Sequence, residues 1–301
     1  SSGNVPDAPL RGAGVVVVGG SRGIGAAVAT LLAELGAGVV INGRDGDAVD
    51  ATVDAITASG GSAAGLSGSA SDESLADALM ALCENEFGAV NALVNCAGTA
   101  EPPGSSILTV SRREFDDLLD VHLGTVFATC RAAAPRMVAA GGGSIVNTGS
   151  FAFLGDYGGT GYPAGKAAVN GLTMALAAEL AEHGVRANVV CPGAKTRLSS
   201  GPHYEQHIDS LRRRGLLDEA SAAASLDAAP AEYAAPLYAY LASTLSESVT
   251  GQIFVAAGGF VGRFSRPPLA VLAYRDHHES PPWSRSEIDT MLTATEPGAN
   301  P

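Results

Sequence analysis

The sequence predicts an α/β fold, a doubly wound parallel sheet in a single domain, and three observations predict it. Short β-rich runs alternate with helix-like stretches along most of the chain, the pattern of parallel strands joined by crossover helices. Those runs are almost continuously apolar rather than alternating, as expected when helices cover both sheet faces. The first run passes directly into a glycine-rich turn that opens a helix, the place where such a sheet receives a ligand.

Taken in order, the strands read as GVVVVG at 14–19, AGVVIN at 37–42, ALVNCAG at 92–98, SIVNTGS at 144–150, RANVVCPG at 186–193 and GQIFVAAGG at 251–259. Between them, Gly25 to Leu35, Asp47 to Ala58, Asp72 to Phe87, Arg112 to Ala140, Gly161 to His183 and Pro230 to Leu241 carry alanine, leucine and acidic residues at helical spacing. Residues 199–229 break the rhythm: they are polar, charged and rich in serine and alanine, and they follow a strand's C-terminal end, where a mobile substrate lid belongs. The sheet domain is therefore expected over 12–262, after a flexible lead at 1–11. Residues 263–301 are punctuated by proline and too short for a domain, so they read as an extension packed on the core and ending in a short helix.

Composition narrows the function. A chain of 301 residues can bury a large core. Its formal charge of −13, with no basic stripe against it, makes nucleic acid a poor partner. No apolar run reaches the roughly 20 residues of a membrane helix, and the first residues lack the basic and apolar regions of a secretory signal, so neither membrane nor export is expected. Cys83, Cys96, Cys130 and Cys191 lie far apart and outside CxxC spacing, which reads as reduced, buried thiols in a cytoplasmic protein. His203, His207, His277 and His278 lack metal-ligand spacing, and no metal is expected.

The glycine turn places Gly19, Gly23 and Gly25 in a GxxxGxG pattern, with Ser21, Arg22 and Ile24 between them. There, glycine lets backbone amides approach a pyrophosphate at the positive end of a helix. Some twenty residues on, where an acidic side chain would bind the ribose of NAD, stand Gly43 and Arg44. Arg44 is either a solvated loop residue or, with Arg22, a pair of cations for a 2′-phosphate; the second reading favours NADP(H) over NAD(H).

Tyr162 and Lys166 are four residues apart, so on a helix they share one face. An ammonium near a phenol favours the phenolate and is expected to lower its pKa from about 10, so that Tyr162 exchanges a proton with a carbonyl or alcohol oxygen. Ser150, at the end of a predicted strand, can hydrogen-bond the same oxygen.

GGSRGIG, NCAG at 95–98, Ser150, Tyr162 with Lys166, and Pro192-Gly193 together resemble the short-chain dehydrogenases/reductases, over residues 10–260. The resemblance implies a Rossmann-type sheet of seven parallel strands in the order 3-2-1-4-5-6-7 and a homo-oligomer, tetramer or dimer. It implies that Ser150 orients the substrate oxygen, that Tyr162 is the general acid/base and that Lys166 holds the nicotinamide ribose. Asn95, Ala97, Gly98, Pro192, Gly193 and Thr196 would lie beside the cofactor, with Asn95 and Gly98 also stabilising the central strand. The stretch DVHLGTVFATCRAAAPRM, the segment PGAKTRL and the ending after GQIFVAAGG are similar to hydroxyacyl-CoA dehydrogenase domains of multifunctional enzymes and their bacterial relatives.

The chain also departs from the family pattern. Val18 stands for the glycine-loop threonine, Ser69 for the acidic residue beside adenine, and His122 for the asparagine that holds a relay water; the histidine is either a substitute relay or a structural helix residue. The Ser150–Tyr162 interval is one residue short, and Thr196 arrives one place early, leaving Arg197 in its usual position. The expected activity is NADP(H)-dependent interconversion of a ketone and a secondary alcohol, on a β-keto/β-hydroxy acyl thioester or a polyketide-like metabolite. The departures keep open a non-redox cyclase, dehydratase or epimerase. The loop 99–111 and the lid would line the substrate pocket, and Arg212, Arg213 and Arg214 would meet a coenzyme A or carrier phosphate or else form a solvated face.

Overall fold

The computed structural model describes residues 9–294, in two units that divide after Phe264. In the first unit, β1 (Gly14–Val18), β2 (Gly38–Gly43), β3 (Ser62–Ser67), β4 (Ala92–Asn95), β5 (Gly143–Thr148), β6 (Val185–Gly193), β7 (Ile253–Ala257) and β8 (Phe260–Phe264) form one sheet of order β3-β2-β1-β4-β5-β6-β7-β8. The pairs up to β6–β7 are all parallel, and β8 folds back antiparallel on β7. The sheet thus has the predicted order with one strand more than predicted. Gly258 at φ +55 helps turn the chain between β7 and β8, so a domain boundary at 262 would cut through β8.

The helices are α1 (Gly23–Glu34), α2 (Gly46–Ala58), α3 (Glu73–Phe87), α4 (Arg112–Leu119), α5 (Thr125–Ala139), α6 (Gly161–Leu180), α7 (Pro202–Arg213), α8 (Glu219–Leu226) and α9 (Ala235–Ala242). They divide between the two faces. Val15, Val17, Val39 and Ile41 pack with Leu32, Tyr238 and Leu241 on one side, whereas Val16, Val18, Val40 and Leu93 pack with Leu79, Met137 and Val169 on the other. Successive strand residues point to opposite faces, so a fully buried strand such as β1 is apolar at every position.

Three departures from the expected elements bear on the site. The predicted helix from Arg112 to Ala140 is interrupted by a π-turn at Asp120–Gly124, which carries His122. The predicted lid folds as α7 and α8, and Ile208, Leu211, Leu217 and Ala222 are buried there with Tyr157 and Tyr204 packed against them. β4 and β5 stop at Asn95 and Thr148, short of the predicted ends; Cys96 and Gly149 each add one more backbone bond, to the Val18 and Val190 carbonyls, before the chain leaves the sheet.

In the second unit, Ser284 and Glu287 form a capping box that starts α10 (Arg285–Thr293), and Arg275 lies 3.5 Å over the Trp283 ring while pairing with Glu287. Most of the predicted lead, residues 1–8, lies outside the described residues. Among the described residues no helix is long and apolar enough to cross a membrane.

Candidate active site

The glycine turn follows β1. Gly19 adopts φ +71, and a Cβ on it would collide with the backbone of Ala97, so the ends of β1 and β4 close together only without a side chain there. A Cβ on Gly25 would run into the Gly19 carbonyl. Around Gly23 the space is open apart from Thr196, whose methyl would lie 3.6 Å from an added Cβ. The N-cap residue of α1, Arg22, supplies no side-chain cap, so the first-turn amides of the helix are presented to the turn without a side-chain acceptor. Such a terminus suits a pyrophosphate. Ser21 packs its Oγ against Gly43, so that a side chain at 43 would require the serine hydroxyl to turn aside, and Ile24 tucks against the core.

At the end of β2, Arg22 pairs with Asp45 at 2.5 Å, with both side chains about half exposed. Asp45 also caps α2 through the amides of Asp47 and Ala48, and chiefly the Ala48 amide holds its carboxyl below the usual range, Arg22 adding to this. Among the described residues Arg44 has no carboxylate partner.

Asn95 closes β4 with its side chain turned into the core. Its buried amide donates to Asn147 Oδ1 at 2.9 Å and accepts from Thr129 at 3.0 Å, while Asn147 donates to Thr173. This chain of bonds ties β4 and β5 to α5 and α6 with every partner satisfied. Gly98 faces His122: an added Cβ would lie 3.1 Å from the imidazole. Pro192 and Gly193 end β6 opposite Ala256 and Ala257, and Thr196 opens the short turn Arg197–Ser199.

Tyr162, Lys166, Ser150 and His122 are brought together. Tyr162 is in the first turn of α6, with the Ser150 hydroxyl close enough to favour its phenolate. The Lys166 Nζ lies 5.8 Å from the Tyr162 ring centroid and donates to the Thr148 carbonyl at 3.1 Å. Thr148 in turn shares a 2.7 Å hydrogen bond with the buried Tyr238 hydroxyl. The His122 ring meets Tyr162 edge-on, with centroids 4.9 Å apart.

The electrostatics correct one expectation. In place of the lowering predicted from Lys166, burial pushes the Tyr162 phenol up, and the Ser150 hydroxyl only partly offsets it. Burial likewise lowers the Lys166 ammonium to about 8. His122 is pushed down to about 3 by burial first and by Lys166 second. Its Nε2 lies 2.8 Å from the Thr99 carbonyl, which fixes the proton there and leaves Nδ1 a buried lone pair with no partner.

The sequence reading passed over Glu101. Its Oε1 accepts from the amides of Thr160 and Gly161 and its Oε2 from that of Tyr162, at 2.8–3.1 Å, with Ser105 Oγ also donating to Oε1. No spacing signal finds such a contact, since about sixty residues separate the partners. The arginine run of the lid is engaged in solvent: Arg212 pairs with Asp209 and Glu219, and Arg213 with Asp209. His207 holds the Tyr157 carbonyl at 2.9 Å. His277 and His278, which lack metal-ligand spacing in the sequence, share an exposed turn with Asp276, the three donor atoms within 4.8 Å of one another. The four thiols are free, with Cys96 half-buried.

Fold and site together define an α/β enzyme with a dinucleotide turn and a tyrosine–lysine pair. The model of the short chain dehydrogenase family matches residues 13–200. The chain belongs to that family, and it is an oxidoreductase of alcohol and carbonyl groups that uses a nicotinamide cofactor. It is 35% identical over 248 residues to the short-chain reductase protein NovJ of Streptomyces niveus, covering 81% of this chain and 92% of that protein. It is 31% identical over 254 residues to the 3-oxoacyl-(acyl-carrier-protein) reductase FabG of Vibrio cholerae, covering 83% and 98%. The crystal structure of a short chain dehydrogenase from Mycobacterium avium superposes with a TM-score of 0.76 at 30% identity, covering 95% of this chain and 94% of the other.

Proposed function

We propose that the protein catalyses NADP(H)-dependent interconversion of a ketone and a secondary alcohol, with β-keto acyl thioesters and polyketide-like ketones as the substrate class. The observation that carries the reaction is the meeting of Ser150, Tyr162 and the buried Lys166 beyond β5. The bound nicotinamide supplies or receives the hydride. In the reducing direction Ser150 Oγ hydrogen-bonds the carbonyl oxygen and Tyr162 Oη gives it the proton. Lys166, held on the Thr148 carbonyl, stabilises the phenolate that remains. His122 serves as an acceptor: its Nε2–H points at a carbonyl that cannot pass a proton on, so its free Nδ1 can fix a water but the ring carries no proton through.

NADP(H) is favoured because Gly43 brings no acidic side chain to the end of β2, while Arg44 has no carboxylate partner among the described residues and can meet a 2′-phosphate, with Arg22 of the glycine turn tied to the same strand end through its pair with Asp45. Gly19, Ser21, Gly23, Ile24 and Gly25 would surround the pyrophosphate, with Thr196 above them. The acyl thioester class is supported by the likeness to the 3-oxoacyl-(acyl-carrier-protein) reductase of Vibrio cholerae. A groove lined by Leu119, Leu123, Phe127, Ala168 and Leu172 on the α4, α5 and α6 face supports a homo-oligomer through that face, and the free thiols support a cytoplasmic setting.

The test supplies NADPH or NADH with acetoacetyl-CoA, ethyl acetoacetate or cyclohexanone and follows the reduced-nicotinamide absorbance. Loss of NADPH absorbance, fastest with the thioester, is expected. Turnover with no cofactor change would point to the non-redox alternative, and faster turnover with NADH would overturn the cofactor assignment.

A further inference from the structure

The first turn of α6 carries Tyr162, and the first turn of any helix leaves backbone N–H groups without partners and frays unless it is capped. Here local capping is missing. The N-cap residue Thr160 sits at φ −134, ψ −61 and its side chain makes no cap hydrogen bond. The residues before it are Gly158 and Gly159, both at positive φ, which give no stiffness of their own. Yet every amide at this end is satisfied. Thr160 and Gly161 donate to one oxygen of Glu101, Tyr162 donates to the other, Pro163 has no N–H, and Ala164 makes the first bond back to the Thr160 carbonyl. Gly159 is shaped for this contact, since a Cβ there would lie 2.5 Å from the Glu101 carboxylate. Ser105 holds the same carboxylate from its own loop.

We propose that Glu101 is the positioning residue for Tyr162: a carboxylate delivered from the loop after β4 that caps α6 and fixes the tyrosine's backbone in the frame the proton transfer needs. The proposal rests on the reaction proposed above for Tyr162. Loop 99–111 and the helix are thereby one rigid piece, so the segment expected to line the substrate pocket and the proton donor are set in register by a single side chain. A carboxylate suits the task better than a neutral side chain, because two oxygens accept from three amides and the negative charge meets the positive end of the helix.

The test compares wild type with Glu101→Gln, Glu101→Ala and Gly159→Ala. Glutamine keeps the size but turns an NH2 toward an N–H donor, and the added methyl at 159 dislodges the carboxylate from the other side. Hydrogen exchange at the Thr160, Gly161 and Tyr162 amides is expected to speed up in all three variants. With NADPH and ethyl acetoacetate, kcat should fall about 10- to 100-fold, the scale of a misplaced catalytic group, while the Kd for NADPH stays within about twofold. Unchanged exchange at these amides overturns the proposal. So does faster exchange with kcat intact, or a loss shared equally by NADPH binding. A wild type that leaves NADPH unconsumed sinks the proposed reaction alone, and the amide exchange then decides on Glu101 by itself.

Discussion

Helices α1 and α6 both begin beyond the C-terminal ends of strands, and neither is capped by its own N-cap residue. They resolve that shortage in opposite ways. At α1 the turn is cleared of side chains by Gly19, Gly23 and Gly25, and the terminus is open to an anion from outside. At α6 the anion is built in, as the Glu101 carboxylate. The difference fits the roles proposed above: an end that is to receive a phosphate needs its amides free, whereas an end that is to hold a proton-transferring side chain needs them fixed.

Separating the two ends gives the largest expected effect. Tyr162→Phe removes the proton donor while leaving the backbone, the cap and the α1 terminus in place. Its kcat should fall by about 10²- to 10⁴-fold, the usual share of general acid–base catalysis. The Kd for NADPH and the melting temperature should stay close to wild type. A parallel loss of NADPH binding would mean that the two helix ends are not independent.

The α6 end also buries an ionisable group that the α1 end has no counterpart for. His122 is 2% exposed and held neutral down to about pH 3. The unfolded histidine binds a proton below about 6.5, so the fold's advantage from this group is complete above pH 6.5 and is lost as the pH falls toward 3. Over that window the loss is on the order of 5 kcal/mol. Acid unfolding of His122→Asn should therefore have a shallower dependence on pH between 6.5 and 3 than the wild type. Identical acid transitions would mean that His122 is hydrated in the folded protein.

The same contrast explains what could be read from sequence. Most strands and the α1 turn were legible because local rules set them: continuous apolar runs mark strands buried on both faces, and glycine at three fixed places marks a backbone that must come close; the order of the strands came from the family resemblance. β3 escaped notice because SAAGLS is made of weak β-formers, and it pairs only on its β2 side. β8 has exposed Phe260 and Val261 and pairs only with β7, so it lacked the signature of a buried strand. The meeting of Ser150, Tyr162 and Lys166 was legible because two of them share a helix face and the third follows closely on the end of a strand. Glu101 was not, because its partners are backbone amides, which carry no residue identity, on a segment far along the chain. The raised phenol was missed for a different reason: burial is a property of the whole fold, whereas the tyrosine–lysine spacing speaks only of two side chains.

The last and smallest test concerns the open α1 end. If Arg44 forks onto a 2′-phosphate, Arg44→Ala should cost about 1.5–3 kcal/mol of NADPH binding, the range for hydrogen bonds to charged groups, and leave NADH nearly unaffected. At about 1.4 kcal/mol per factor of ten, the preference falls some ten- to hundredfold. The Arg22–Asp45 pair sharpens the expectation. Arg22 already spends its charge on Asp45 at 2.5 Å, in a half-exposed setting where an ion pair is worth little and can be exchanged for a stronger partner. Asp45→Asn keeps an N-cap for α2 and releases Arg22, so NADPH should bind more tightly while NADH changes little. Dissociation constants of both cofactors for wild type, Arg44→Ala and Asp45→Asn decide the matter. Equal losses for the two cofactors in Arg44→Ala, or a wild type that prefers NADH, would mean that Asp45 rather than Arg44 governs this corner of the site.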